Sequence, residues 1–348
     1  MVTDPVTERH DPSAEIWVGV RTPGTEVRAR VDAIRRTLTG HGAELVGPGG
    51  HDDTVLRAVH SAELLEWLAT AATRWAEGPY AAEVGQDRVV PYVFPTEGFL
   101  QGLPLREPVA THARAGRYCY DTMTLIGPGT WESARASADL AQTAALLAVG
   151  GRTAYALCRP PGHHATRDAF GGSCYLNNAA VAAETMRRAG LGRVAVLDID
   201  AHHGNGTQAV FYDRGDVFYG SVHVDPGAGW FPHYVGFADE TGRGAGQGWN
   251  HNVPLAEGSG DAEFVAAVER LVGRAGELGV DGLVVSLGVD AAGDDPESPL
   301  RVSAEGFGAV GAALRSLGVP TALVQEGGYD LARIGALVTA VLAPFATR

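Results

Sequence analysis

Short runs of apolar residues alternate with longer segments of helical periodicity along most of this chain. Most of the runs are continuous, which is typical of central strands in a parallel sheet that helices cover on both faces. We predict strands at Ala154–Cys158, Arg193–Asp200, Val217–Val224, Leu283–Val289 and Thr321–Gln325. We predict helices at Trp131–Val149, Asn177–Ala189, Ala262–Leu278, Ala304–Leu317 and Leu331–Leu342. This alternation predicts an α/β fold with a doubly wound sheet.

The same pattern divides the chain into a short lead and one domain. Residues 1–14 are predicted to form a flexible N-terminal lead, and residues 15–348 a single domain without an internal repeat or a linker. Two segments of that domain, at about 78–115 and at 225–252, are rich in glycine, proline or aromatic residues and are predicted as long loops. Loops of this length in a compact domain usually carry binding function.

Composition narrows the classes of function. The formal net charge is −14 and the 27 basic residues form no block, so we expect no nucleic-acid partner. All 27 are arginine, which excludes a catalytic lysine Schiff base and a P-loop lysine. No apolar run suits a membrane span, and the N-terminus does not resemble a signal peptide. The three cysteines have no pairing pattern, which predicts reduced thiols and a cytoplasmic location.

The most informative motif is Leu197–Gly206, which follows a buried apolar run and contains two carboxylates, two imidazoles and an amide. Asp200 and His202 are two residues apart, so on extended backbone their side chains point the same way. The carboxyl ends of strands in open α/β sheets are also where ligands bind. The motif therefore predicts a metal site at that edge of the sheet.

Further polar clusters fall at the ends of other predicted strands. They are Arg159–His164, Ser221–Asp225, Ser286–Asp290 and Gln325–Tyr329. Each cluster alone is a weak signal, because a single histidine pair or strand-end aspartate is more often structural or a helix cap. Parallel strands would bring all of them to one edge, and that joint placement favours a functional site.

The ligand types fit a catalytic zinc ion. Asp200, His202 and Asp290 offer one nitrogen and two oxygen ligands, and catalytic zinc takes three protein ligands with one position open for water. Iron(II) or cobalt could occupy the same set of ligands. Such a metal makes its water acidic enough to attack a carbonyl near neutral pH.

Hydrolysis also needs a general base and a donor to the developing oxyanion. His163 or His164 could be the base, with Asp198 and Asn205 as the partners that set tautomer and basicity. Tyr329 follows two glycines and could donate to the oxyanion.

Two aromatic residues allow two interpretations. Phe170 lies beside Gly171-Gly172, and Phe231 precedes Pro232, so both phenyl rings could be ordinary core or the walls of a narrow substrate channel.

These motifs resemble those of the arginase–deacetylase superfamily, on its histone-deacetylase-like side, and most of all those of bacterial acetylpolyamine amidohydrolases. The resemblance covers roughly residues 16–348. Its motifs are Pro128–Glu132, Arg159–His164, Phe170–Asn178, Asp198–Gln208, Phe231–Gly246, Ser286–Asp290 and Glu326–Tyr329. It implies an open, mainly parallel sheet of about eight strands with helices on both faces.

The resemblance also implies a role for each matching residue. Zinc would bind Asp200, His202 and Asp290. His164 would be the general base and acid, held by Asn205, and His163 an electrostatic partner, held by Asp198. Tyr329 would polarise the amide carbonyl. Phe170, Gly172 and Phe231 would form the substrate channel. A structural potassium ion would involve Asp198, Asp200, His202, Ser221 and Val222.

The activity implied is the removal of an acetyl group from a small N-acetylated amine such as an acetylpolyamine. The alternatives are a deacetylase of acetyl-lysine in proteins, a tailoring deacetylase of a small metabolite, and a non-catalytic binder of acylated ligands on the same fold. A two-manganese arginase is disfavoured, because Gly204 and Gly288 stand where the second metal would need carboxylates.

The 78–115 segment resembles an insertion through which polyamine-type relatives form homodimers and narrow their channel. One feature departs from that group. His112, Arg114 and Arg117 are basic where an acidic channel mouth is expected, and would repel a polyammonium chain. Glu97, Glu107 or acidic residues of the 225–252 loop could compensate.

Overall fold

A computed structural model describes residues 1–346 of the chain. Six parallel strands form the main sheet, in the order β3-β8-β7-β4-β5-β6, and β1 and β2 form a separate antiparallel hairpin. The strands are β1 (Glu15–Trp17), β2 (Val20–Thr22), β3 (Ala154–Ala156), β4 (Val194–Asp198), β5 (Val217–Val224), β6 (Asn250–Leu255), β7 (Gly282–Leu287) and β8 (Thr321–Gln325). The predicted α/β class with a mainly parallel sheet is confirmed.

Helices connect and cover these strands. The α-helices are α1 (Arg28–Gly40), α2 (Thr54–Val59), α3 (Ala62–Ala76), α4 (Glu97–Leu100), α5 (Thr111–Tyr118), α6 (Thr130–Val149), α7 (Asn178–Arg188), α8 (Asn205–Phe211), α9 (Asp261–Glu277), α10 (Ala304–Arg315) and α11 (Ile334–Ala346). No helix within residues 1–346 is both long and apolar enough to cross a membrane.

The central strands are buried on both faces, which explains why their sequences read as continuous apolar runs. Along β4, Val194 and Val196 pack into one core with α3, α6 and α7. Ala195 and Leu197, between them, pack into the opposite core with α1, α9, α10 and α11. The period-two alternation of a strand therefore supplies both cores, and no polar face is left.

The prediction of a flexible lead at residues 1–14 is wrong. Val2 is completely buried, and its N–H donates to the carbonyl of Tyr155 at 2.7 Å. The adjacent N–H of Thr3 donates to the carbonyl of Val46 at 3.0 Å. A single-turn 3-10 helix follows at Pro5–Arg9, with Asp4 as its N-cap. The lead has too few apolar residues to show a period, yet the backbone of its first residues pairs at the edge of the sheet.

These N-terminal contacts also account for the expected strand number. Val2 forms parallel bridges both to Ala156 on β3 and to Val46, so two single-residue bridges extend the six-stranded sheet beyond β3. Eight chain segments thus lie side by side, although only six are long enough to count as strands.

One strand begins inside a segment predicted as a loop. β6 (Asn250–Leu255) starts in the last three residues of the 225–252 segment and continues beyond it. Its Asn250 and Asn252 are buried, and their Nδ2 groups donate to Oε1 of Gln208 at 3.0 and 2.8 Å. The apolar pattern could not show this strand, because amides that bond to one another occupy its buried positions.

Val2 provides a test of the N-terminal correction. Replacing Val2 with Asp would bury an unpaired carboxylate at the sheet edge, and we expect it to lower the free energy of unfolding by about 3 kcal/mol. Urea unfolding followed by circular dichroism measures the change. Val20→Asp, at a position that is 62% exposed, is the control and should unfold like the wild type. Equal stability of Val2→Asp and wild type would contradict this correction and support a flexible N-terminal lead.

Candidate active site and metal centre

The polar clusters predicted at strand ends meet at one edge of the sheet. Asp198 is the last residue of β4, and lies in register with Ser221 on β5 and Ser286 on β7. β4 ends at Asp198, so Asp200 and His202 lie on the loop that follows this strand. Asp290 lies three residues beyond β7. The sheet thus ends earlier than predicted at β4 and β7, and the freed residues form the site.

Three of these side chains converge as metal ligands would. Nδ1 of His202 lies 3.2 Å from Oδ1 of Asp200 and 3.1 Å from Oδ2 of Asp290. One ligand atom from each of the three lies within 4.8 Å of the others. Backbone N–H groups orient the outer oxygens: Ala201 donates to Asp290 at 2.7 Å and Gly327 donates to Asp200 at 2.8 Å.

The electrostatics of this triad favour a cation. Asp200 and Asp290 are almost completely buried. Burial and the negative charge of Asp200 raise the pKa of Asp290 to about 7. Ionising two carboxylates this close together costs electrostatic free energy unless a cation lies between them. A Cβ on Gly288 would lie 2.1 Å from Oδ2 of Asp200, so glycine is needed for the carboxylates to fit. The residues present therefore fit a divalent metal.

His163 and His164 lie next to each other with different partners. Nδ1 of His163 lies 3.1 Å from Oδ2 of Asp198, and Nδ1 of His164 lies 2.7 Å from Oδ1 of Asn205. Burial alone would lower the pKa of His163, but the charges of Asp200 and Asp198 outweigh it and raise that pKa to about 10. Burial and the nearby positive charges of His163 and His202 lower the pKa of His164 well below its usual range. One imidazole is thus charged near pH 7 and the other neutral.

Tyr329 closes the site from the far side. Its backbone N–H donates to Oδ2 of Asp295 at 2.8 Å, and the guanidinium of Arg30 lies 4.8 Å from the centre of its ring. Arg30 also donates from Nε to the carbonyl of Gly328 at 2.6 Å. Burial raises the pKa of Tyr329 well above its usual range, so its hydroxyl keeps its proton.

A cavity of about 90 Å³ lies between these groups and is lined by His164, His202, Tyr329, Gly172 and Phe231, together with Glu15, Thr25, Met123, Ser173 and Glu297. Phe231 lies edge-on to His164, with ring centres 4.8 Å apart. A Cβ on Gly172 would approach His164 to 2.4 Å and Phe231 to 2.9 Å. Two of the three predicted channel residues, Gly172 and Phe231, therefore border the cavity.

The prediction for Phe170 is wrong. Its side chain is 1% exposed and stacks on Tyr175 in the core, with ring centres 5.5 Å apart. Ser173, three residues later, lines the cavity instead. A phenyl ring suits either environment, and only the path of the chain through the two glycines decides which residue faces the cavity.

Glu326 is a site residue to which the sequence analysis gave no role. It is fully buried, and its Oε2 accepts from the N–H groups of Gly162 at 2.6 Å and His163 at 3.1 Å. Its Oε1 accepts from Oγ of Ser286 at 3.0 Å. This carboxylate therefore fixes the start of the histidine loop to the sheet. A charged residue directly after an apolar strand was the available signal.

The basic residues of the 78–117 region do not line the cavity. Nε of Arg114 donates to Oε1 of Glu107 at 2.5 Å. Glu107, one of the acidic residues that the sequence analysis offered as compensation, therefore balances the charge of Arg114. Nδ1 of His112 lies 2.8 Å from the hydroxyl of Tyr80, and Arg117 lies over the ring of Tyr118. Glu15 and Glu297 line the cavity instead. The sequence analysis missed both, because Glu15 lies far from the motifs and no local pattern connects Glu297 with the site.

The residues that the resemblance implies as potassium ligands also lie on neighbouring strands and the adjoining loop. Asp198 and Ser221 are direct neighbours across β4 and β5, and Val222 follows on β5. Oγ of Ser221 lies 2.8 Å from Nδ1 of His223. Asp200 and His202 lie on the loop that continues from Asp198.

Comparison with known proteins points to one family. Residues 25–345 match the histone deacetylase domain. An acetylpolyamine amidohydrolase of Mycoplana ramosa is 40% identical over 94% of each chain, and acetylpolyamine amidohydrolase 1 of Pseudomonas aeruginosa is 40% identical over 94% of this chain and 92% of the relative. The crystal structure of acetylpolyamine aminohydrolase from Burkholderia pseudomallei has a TM-score of 0.91 at 37% identity, covering 99% of this chain and 98% of that one.

Asp290 provides a test of the metal centre. Its folded-state pKa is raised from 3.8 to about 7, so in metal-free protein this group costs stability as the pH rises through that range. Asp290→Asn should therefore raise the thermal midpoint of metal-free protein at pH 7.5. Zinc should stabilise only the wild type, by about 4 kcal/mol when free metal exceeds the Kd about 1,000-fold.

Differential scanning fluorimetry with and without zinc measures both effects. Asp294→Asn is the matched control, since that side chain is 95% exposed and should leave the zinc effect intact. A zinc-dependent shift that persists in Asp290→Asn would contradict the assignment of the ligands.

Proposed function

The chain belongs to the histone deacetylase family and is a hydrolase of amide bonds, and we propose that it removes the acetyl group from a small N-acetylated amine with the help of a bound Zn²⁺ ion. The observation that carries this proposal is the geometry of His163 and His164, which contact a carboxylate and an amide respectively and lie directly beside the ligand triad. Two groups whose pKa values are pushed apart are what general acid–base chemistry requires.

Each residue then has a defined task. A divalent cation bound by Asp200, His202 and Asp290 would acidify a water molecule and polarise the amide carbonyl. Nε2 of the neutral His164 accepts the proton of the attacking water and later delivers a proton to the nitrogen of the leaving amine. The charged imidazole of His163, held by Asp198, stabilises the negative charge that develops during attack.

Tyr329 completes the stabilisation of the oxyanion. Its hydroxyl keeps its proton at neutral pH and borders the same cavity as His164 and His202. Arg30 and Asp295 hold its ring and its backbone, so the donor is pre-oriented before substrate arrives.

The cavity lining supports a cationic substrate. Glu15 and Glu297 both line the cavity, and burial and the negative charge of Glu297 raise the pKa of Glu15 to about 7. A positive group between the two carboxylates would relieve this repulsion. A diamine or polyamine acetylated at one end carries such a group on its free amine, as the names of the relatives suggest for their own substrates. This favours a small amine over acetyl-lysine in a protein.

The insertion supports a homodimer, which we propose together with the structural potassium site. Its exposed apolar side chains are Val84, Tyr92, Phe99, Leu103, Leu105 and Val109. Exposed apolar side chains concentrated on one segment are typical of a protein–protein contact.

The potassium site is supported by the pairing of Asp198 with Ser221 across β4 and β5, with Val222 next on β5. These residues carry carboxylate, hydroxyl and carbonyl oxygens, the type of ligand that potassium needs.

Turnover on a panel of substrates tests the function. We expect zinc-loaded protein to release acetate from monoacetylated diamines faster than from acetyl-lysine peptides. Tyr329→Phe should lower kcat by about 10²–10³-fold, because it removes a single donor to the oxyanion. Acetate release measured by an enzyme-coupled assay decides the matter. If no acetylated amine is hydrolysed, the proposed function is wrong, and unchanged turnover by Tyr329→Phe would remove that residue from the mechanism.

The proposed recognition of a cationic amine by Glu15 and Glu297 is tested by changing the charge of the substrate. Glu15→Gln and Glu297→Gln should each lower kcat/KM about tenfold for a monoacetylated diamine, the order of one lost ion pair that is partly desolvated. Neither variant should change kcat/KM for N-acetylbutylamine, which is neutral. Glu305→Gln, on the exposed surface of α10, is the control. Equal losses on the charged and the neutral substrate would show that the two carboxylates do not recognise the amine.

A further inference from the structure

Tyr120 follows α5, and its side chain lies behind the neutral histidine of the site. Its hydroxyl donates to the backbone carbonyl of His164 at 2.8 Å. The same oxygen accepts from Nδ2 of Asn205 at 3.4 Å. Oδ1 of Asn205 in turn faces Nδ1 of His164 at 2.7 Å. These bonds form a closed ring that starts at the carbonyl of His164 and ends at its own imidazole.

The direction of every bond in this ring follows from its first member. A backbone carbonyl can only accept, so the hydroxyl proton of Tyr120 must point to it. The tyrosine oxygen then presents its lone pairs to Asn205, which must turn its amide nitrogen towards them. The amide oxygen is left facing Nδ1 of His164, and Nδ1 must therefore carry the proton.

This direction matters because an amide, unlike a carboxylate, has a donor end and an acceptor end. Asp198 can only accept when ionised, so it keeps a proton on Nδ1 of His163 without help. Asn205 turned the other way would donate to Nδ1 of His164 and place the proton on Nε2. His164 could not then accept a proton at Nε2, the nitrogen that must act as the base.

We propose that Tyr120 is a positioning residue that sets the tautomer of His164 through Asn205, an inference that rests on the proposed function. The amide partner has a chemical advantage, since it leaves His164 neutral where a carboxylate would favour the charged imidazole. The disadvantage is that the amide of Asn205 can face His164 with either end, so another group must fix its orientation. The hydroxyl of Tyr120 does so.

The chain holds Tyr120 firmly in this position. Its N–H donates to the carbonyl of Phe170 at 3.1 Å, and the N–H of Phe170 donates to the carbonyl of Tyr118 at 2.8 Å. The ring lies flat against Gly171, where an added Cβ would come within 2.2 Å of it. The first glycine of the Gly171-Gly172 pair therefore makes room for Tyr120, and the second makes room for His164 and Phe231.

Tyr120→Phe removes only the hydroxyl and is the decisive variant. We expect kcat on a monoacetylated diamine to fall about tenfold with little change in KM, the low end of what loss of such a supporting partner costs. In the background of Asn205→Ala, the same change should have no further effect, because Tyr120 acts through the amide. Tyr175→Phe is the matched control: that hydroxyl also donates to a backbone carbonyl, at 2.5 Å, but bonds no site residue.

A spectroscopic readout separates this proposal from the proposed function. Two-bond ¹⁵N–¹H spectra of protein labelled at histidine should show His164, assigned with His164→Gln, as the pure Nδ1–H tautomer in the wild type and as a mixture in Tyr120→Phe. An Nε2–H tautomer in the wild type, full activity of Tyr120→Phe, or the same loss with and without Asn205 would overturn the role of Tyr120. If the wild type hydrolyses no acetylated amine, the function fails while the spectra still decide the tautomer.

Discussion

The structure depends on holding two buried carboxylates, those of Asp200 and Asp290, close together at the carboxyl edge of the sheet, with a third buried carboxylate, that of Asp198, at the end of β4. Like charges at this distance repel strongly when water is excluded. The fold offsets the repulsion with backbone N–H donors from Ala201 and Gly327, with imidazoles, and with a position suited to a divalent cation. The fully buried parallel sheet makes this possible, because adjacent strands end side by side.

This constraint also explains the backbone around the site. The carboxylates lie directly against main chain, so glycine is needed wherever a Cβ would collide with them. A Cβ on Gly204 would lie 2.4 Å from Oδ2 of Asp198, and one on Gly327 would lie 2.4 Å from Oδ2 of Asp290. Gly204 and Gly288, which argue in the sequence against a second metal, are therefore also steric requirements of the single site.

The two histidines show how neighbouring residues acquire different chemistry. His163 faces a carboxylate and becomes charged, whereas His164 faces an amide and stays neutral. Hydrogen bonds also hold the backbone of both histidines. Glu326 accepts from the N–H of His163, and the hydroxyl of Tyr120 donates to the carbonyl of His164. The positions of such buried imidazoles on a loop are set by supporting contacts of this kind rather than by the conformational preference of the loop itself.

The sequence by itself determined the α/β class, the strands that end in polar motifs, and the convergence of Asp200, His202 and Asp290. These follow from local order, because a continuous apolar run predicts a buried strand and parallel strands end together. Only the tertiary structure decided that Val2 extends the sheet, that Ser173 rather than Phe170 faces the cavity, and that Glu15, Glu297 and Tyr120 belong to the site. Val2, Glu15 and Tyr120 contact segments that are distant in sequence, and such contacts leave no periodic trace in either segment. Ser173 and Glu297 lie near the motifs, and there only the path of the folded chain decides which side chains face the cavity.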